Sequence, residues 1–310
     1  MPRMHSNRFN TYEQLLVKFT RDVHTLSGIR SSERRQTLVL QIISSVRRIE
    51  YVKSLDARHI SPERANPRSD IFCPLRAAII WRNRGNIDEA IWLVFLATHF
   101  GKHADDKWQL MKDIYGAFGE RSPWTWTEVT AHRRDFVKWA KTRLPELLND
   151  GQSRRFSNHR KYESKKSEAI ITTLLAYVDL IESYGTHRDW IVAAHKEKGQ
   201  NPAEAFQFLY DSLDAAKRFG RLGRFDFLTM LGKLDLMPIE PGIAYLKGAT
   251  GPLSGAKLLV DNDTESHRKI EELEEILQKI GSTLQVGMQV LEDSLCNWQK
   301  SPEAYEYFSG

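Results

Sequence analysis

Apolar residues in this chain recur at three- and four-residue intervals over long stretches, among them Leu38 to Val52, Ile87 to Phe100, Phe136 to Leu148, Ile170 to Tyr184 and Ile270 to Ile280. A helix turns about once every 3.6 residues, so this spacing gathers the apolar side chains on one side of a helix. Sustained period-two alternation bounded by turn residues, the mark of a half-buried strand, is hard to find. The chain is expected to be all-α.

Breaks rich in Pro, Gly, Asn and charge fall at Ser61 to Pro74, Gly119 to Trp126, Asp150 to Ser167 and Met237 to Gly255. The third is the expected seam in a single domain over residues 1–310, with lobe A at about 35–150 and lobe B at about 168–310 around a cleft. At 310 residues and 41% hydrophobic, the chain has enough apolar matter for this. No internal repeat is visible, so a solenoid is not expected.

The two cysteines, Cys73 and Cys296, exclude an iron–sulfur cluster held by four thiolates. They and the polar segment Met1 to Asn10, which has no apolar run behind it, predict a cytoplasmic chain with reduced thiols. No run approaches the roughly 20 apolar residues of a membrane span, so no membrane partner is expected. His99 and His103 stand four apart, but Gly101 and an expected helix end lie between them. Solvated or capping histidines are the simpler reading, and neither a metal nor a cofactor is expected.

A formal charge of +5 matters only where it is clustered. Arg154 to Lys166 interleaves six cations with Phe156, Asn158 and Tyr162 and includes Arg160 and Lys161; Lys217 to Lys233 includes Arg221 and Arg224. Such segments suit phosphates and stacked bases, though a solvated face explains either one alone. Residues 245–259 read as a hairpin between helices. Gly248, Gly251 and Gly255 would allow tight backbone and Lys257, expected in the first turn of the second helix, would add a phosphate charge.

Leu284, Met288, Leu291, Leu295 and Trp298 define a buried stripe on an expected closing helix, with Glu292, Cys296 and Lys300 on a neighbouring stripe and Asp293 beside it. A surface row would give the same pattern. Asp226 is the single acid in a basic, aromatic segment with Arg224, Phe225 and Lys233. It suits stabilisation of a developing cation, and equally an ordinary ion pair.

Together the segments Asn86 to Lys102, Asn158 to Glu163, Arg221 to Lys233, Gly248 to Pro252 and Leu291 to Lys300 resemble the α-glutamyl/putrescinyl thymine pyrophosphorylases, specifically their third clade. The resemblance runs from about Arg47 to the C-terminus. It implies an architecture similar to the helix-hairpin-helix DNA glycosylases, and an enzyme that binds duplex DNA, flips a nucleotide and works at a modified base. Other clades carry a Glu-His-x-Leu-Cys-Glu motif where this chain has Glu292-Asp-Ser-Leu-Cys-Asn297.

The expected activity is that of a DNA glycosylase. It would excise a bulky modified pyrimidine, such as a glucosylated hydroxymethyl pyrimidine, from phage-type DNA by hydrolysing the N-glycosidic bond, and would leave an abasic site in defence against phage. The alternative is a transferase that displaces pyrophosphate from an activated hydroxymethyl pyrimidine in DNA. A module that binds modified DNA without catalysis is a further alternative. Asp226 or Asp293 is the expected catalytic carboxylate, with Glu292 and Lys300 orienting water or the base. Gly248, Thr250, Gly251, Gly255 and Lys257 would hold a phosphate, and Arg224, Lys233, Asn158, Arg160 and Lys161 would add contacts to double-stranded DNA carrying modified bases.

Overall fold

The computed structural model of the protein describes residues 3–157 and 166–307. Among these residues the chain forms α1 (Arg3–Asp22), α2 (Ser32–Lys53), α3 (Pro74–Asn83), α4 (Ile87–Phe100), α5 (Gln109–Tyr115), α6 (Trp126–Ala131) and α7 (Arg133–Leu147). It continues with α8 (Ser167–Tyr184), α9 (His187–Lys198), α10 (Pro202–Ser212), α11 (Arg221–Lys233), α12 (Thr250–Asp261), α13 (Ile270–Leu284) and α14 (Met288–Trp298). No strand occurs among the described residues, and the fold is all-α as the apolar period predicts. No helix there is long and apolar enough to cross a membrane.

The chain divides into two compact units. The first joins Met1–Val52 to Glu240–Ser309, and the second is Lys53–Ile239 together with Gly310. The break at Asp150 to Ser167 lies inside the second unit's residue range.

In the first unit, α13 buries Leu273, Ile276, Leu277, Ile280 and Leu284, a three-and-four spacing that makes one continuous apolar face. Leu16 and Phe19 of α1, Leu38 and Ile42 of α2, Leu259 of α12 and Leu295 and Trp298 of α14 belong to the same core. Each such side chain withdrawn from water contributes roughly 1.5–3 kcal/mol before the entropy of ordering it. α12 and α14 approach closely, because a Cβ on Gly255 would stand 2.4 Å from the Leu295 carbonyl oxygen. Gly28 is equally constrained: a Cβ there would lie 1.9 Å from the Leu258 oxygen on α12.

In the second unit, α4 is the central helix, with every residue from Glu89 to Phe100 buried. A helix apolar on all sides has to be surrounded. Its start is fixed by Asn86, whose side chain accepts the Glu89 N–H, and its end by Gly101 at φ 67°. Phe95 stacks on Tyr177 of α8 with ring centroids 3.7 Å apart and planes 8° apart.

Candidate active site

The closing stripe read from sequence is two helices in the structure. Leu284 ends α13, Gln285 turns left-handed at φ 54°, and α14 begins at Met288. The apolar spacing continues across that turn, which is why it reads as one helix. Met288, Leu291, Leu295 and Trp298 face the core as expected, and the Trp298 Nε1–H donates to the Arg34 carbonyl at 3.1 Å.

With that side buried, the next stripe of α14 presents Asp293. Arg48 of α2 donates from Nη2 to Asp293 Oδ2 at 2.5 Å, and Asn297, one turn further along α14, donates from Nδ2 to Oδ1 at 3.0 Å. Lys300, just beyond the helix, donates from Nζ to Asn297 Oδ1 at 3.2 Å. The result is a connected chain of cation, carboxylate, amide and cation. Asp293 and Arg48 each retain about a third of their side-chain exposure, 33% and 32%, so the pair faces solvent while anchored in the unit. The second terminal nitrogen of Arg48, Nη1, is buried and has no hydrogen-bond partner among the described residues. Leaving such a donor unmade costs roughly 1–3 kcal/mol.

Glu292 is buried and Cys296 is partly exposed. Gly251 of α12 lies directly against that thiol, where a Cβ would stand 2.7 Å from Sγ. Gly251 and Gly255 therefore sit within α12 and face α14; their lack of a side chain serves the approach of two helices. The free backbone of the hairpin lies earlier, at Lys247, Gly248 and Thr250, all exposed, with Gly248 at φ 76°. Glu274 of α13 fixes this hairpin by accepting the N–H groups of Ala244 and Leu246, each at 2.7 Å. Lys257 is partly exposed and lies in the second turn of α12, because that helix begins at Thr250.

The first unit thus gathers Asp293, Glu292, Lys300, Gly248, Thr250, Gly251, Gly255 and Lys257. Asp226, Arg224 and Lys233 belong to α11 in the second unit. There Arg224 pairs with Asp214 and its guanidinium lies 4.5 Å from the Tyr210 ring. Arg154 is buried and held by Asp113 and Asp150 at 2.6 Å each, while Arg155 is held by Asp105 and Asp106. Asn158, Arg160 and Lys161 lie outside the described residues. His103 Nδ1 accepts the backbone N–H groups of Asp105 and Asp106. Among the described residues no group of three or more His, Cys, Asp or Glu side chains is arranged to hold a metal.

The second unit also contains a polar chain that sequence reading missed. The wholly buried His187 shares a 2.7 Å hydrogen bond from Nδ1 to Asp88 Oδ1 and a 2.8 Å bond from Nε2 to the Tyr177 hydroxyl. The hydrogen bond from His187 holds Asp88 below the usual carboxylate range, and burial pushes the imidazole down and the Tyr177 phenol up. Asp88 lines an open pocket of about 440 Å³ with Arg84, Asn86, Thr186 and Arg188. Since His187 and Tyr177 are sealed from solvent, the chain ties α4, α8 and α9 together. Beside it, burial pushes Glu89 up to about 7, although its carboxyl accepts the Tyr115 hydroxyl and the Trp126 N–H at 2.6 Å each.

The family model described as alpha-glutamyl/putrescinyl thymine pyrophosphorylase clade 3 matches residues 33–310. No curated protein and no solved structure matches the chain. A pyrophosphorylase family overturns the expectation of a hydrolytic glycosylase, and the abasic product falls with it.

Proposed function

Because the chain belongs to the α-glutamyl/putrescinyl thymine pyrophosphorylase family, clade 3, we propose that it is a transferase that displaces pyrophosphate from an activated hydroxymethyl pyrimidine in DNA with an amine. The observation that carries this reading is Asp293 held between Arg48 and Asn297, with Lys300 next in the chain. Where other clades have His and Glu, this chain has Asp293 and Asn297, so a carboxylate and an amide donor four residues apart take their places.

In the proposed reaction the amine nitrogen forms a bond to the methylene carbon on the pyrimidine ring. The carbon–oxygen bond to the pyrophosphate breaks, and its electron pair leaves with that oxygen. Asp293 takes the proton that the amine loses, the work of a positioned general base. Arg48 and Lys300 supply positive charge beside the leaving group. The exposed hairpin tip at Lys247, Gly248 and Thr250, with Lys257 behind it, meets the phosphates of the strand whose nucleotide is turned out.

Duplex DNA carrying a pyrophosphorylated hydroxymethyl pyrimidine, incubated with the protein and an amine, tests this. Amine-dependent release of pyrophosphate, with a nucleoside whose mass has gained the amine, is expected. Unchanged nucleoside and no pyrophosphate would sink the reading.

A further inference from the structure

Among the described residues, one helix presents a row of exposed cations. α7 carries five cations, of which two meet acids: Arg133 binds Asp179 and Glu182 of α8, and Arg143 binds Glu120 and Glu146. The other three, Arg134, Lys138 and Lys141, are exposed and form no ion pair among the described residues. Their four-then-three spacing puts them on one ridge, opposite the buried side that carries Phe136, Ala140 and Leu144. With Arg133 and Val137 they line an open groove of about 470 Å³. Arg133 stands between the ridge and the two acids of α8 that it pairs with, and Asp135, three residues before Lys138, is the acid of α7 nearest the ridge.

From this face we infer that α7 is a docking surface for the phosphate backbone of double-stranded DNA. At about 1.5 Å of rise per residue the three cations span roughly 10 Å. Three base steps of duplex cover about the same length, at roughly 3.4 Å per phosphate on one strand. The groove has the wrong chemistry for a protein or a membrane partner. A protein interface is depleted in Lys and gathers aromatic and apolar groups at its centre, and here Val137 is the sole apolar lining residue. A membrane-surface helix needs Trp, Phe or Leu beside its cations, and this ridge has none. Phosphates reached by long cationic side chains need neither.

The inference rests on DNA being the substrate, and the two are separable by experiment. Affinity for duplex DNA is measured over a series of salt concentrations for the unaltered protein and for the combined variant Arg134→Ala, Lys138→Ala and Lys141→Ala, with helical content checked by circular dichroism. The expected result is a slope of log affinity against log salt that is flatter by about 2.7 in the variant, about 0.9 for each cation removed. If the combined variant fails to fold, Lys138→Gln alone should flatten the slope by about 0.9. An unchanged slope in a folded variant overturns the docking face and leaves the proposed reaction standing. No affinity of the unaltered protein for DNA overturns both. Loss of binding to phosphatidylserine vesicles with DNA affinity intact would overturn it in favour of a membrane surface.

Discussion

Asp293 and Glu89 are both carboxylates at helical positions, yet their surroundings give them opposite prospects. Asp293 keeps part of its surface in water and is oriented by Arg48 and Asn297. Replacing it by Asn preserves the shape and removes the base, so pyrophosphate release should fall about 10²- to 10⁴-fold with DNA affinity retained. Equal turnover in the variant would remove Asp293 from the mechanism. Asn297→Leu would leave Asp293 one hydrogen bond short and loosen its aim. Turnover should drop while the KM for DNA holds, and a change in KM alone would argue for a binding role. Glu89 is buried and bonded to Tyr115 and Trp126, and burial holds its proton up to about pH 7. Below about pH 4.5 both folded and unfolded chains hold that proton. As pH rises towards 7 only the folded chain does, so the carboxyl's contribution is progressively lost, on the order of 3 kcal/mol in all. Glu89→Gln should therefore show a flatter stability profile than the parent between pH 4.5 and 7, read from urea midpoints. Parallel profiles would contradict the assignment. Neither carboxylate's distant partner was legible in the sequence: Arg48 and Asp293 are 245 residues apart, and no local pattern links them.

Helices were legible in proportion to how many apolar residues each commits to a core. α4, α8 and α13 bury continuous apolar faces, and their period shows. α9 is anchored chiefly by Trp190 and Ala194, and its definition lies instead in the Thr186–Asp189 capping box. The short α6 likewise offers too few apolar positions to display a period, whereas α1 does carry one, at Phe9, Tyr12, Leu16 and Phe19. Glycine was the most ambiguous letter. Gly248 sits at a turn with positive φ as the hairpin reading requires, whereas Gly251 and Gly255 are helical and mark where α12 meets α14. Gly255→Ala would press a methyl group on the Leu295 backbone and force the helices apart. Gly251→Ala would meet a thiol that can rotate. The first should lower stability by roughly 1–3 kcal/mol and the second by less. Thermal melts that reversed this order would show that the close approach lies elsewhere.

For the whole molecule, three cations of the basic runs that suggested nucleic acid are committed to ion pairs within the second unit. Arg154, Arg155 and Arg224 pair with acids of the same unit, and their pairing could not be read from charge counts. The second unit has its own core around α4 and is continuous in sequence over Lys53–Ile239. Expressed alone, residues 53–239 should fold with a single cooperative helical transition. A featureless melt would mean that this core needs the rest of the chain. The first unit is discontinuous, drawing α1 and α2 from one stretch of sequence and α12 to α14 from another.

That discontinuity has a consequence for synthesis. At about 5–20 residues per second, the 245 residues between Arg48 and Asp293 take roughly 12 to 50 seconds to translate. The middle of the chain has time to collapse on itself while α2 waits on the ribosome for its counterpart. A nascent protein stalled anywhere before α14 would therefore be folded in part, and the Arg48 guanidinium would acquire its carboxylate only as elongation nears its end.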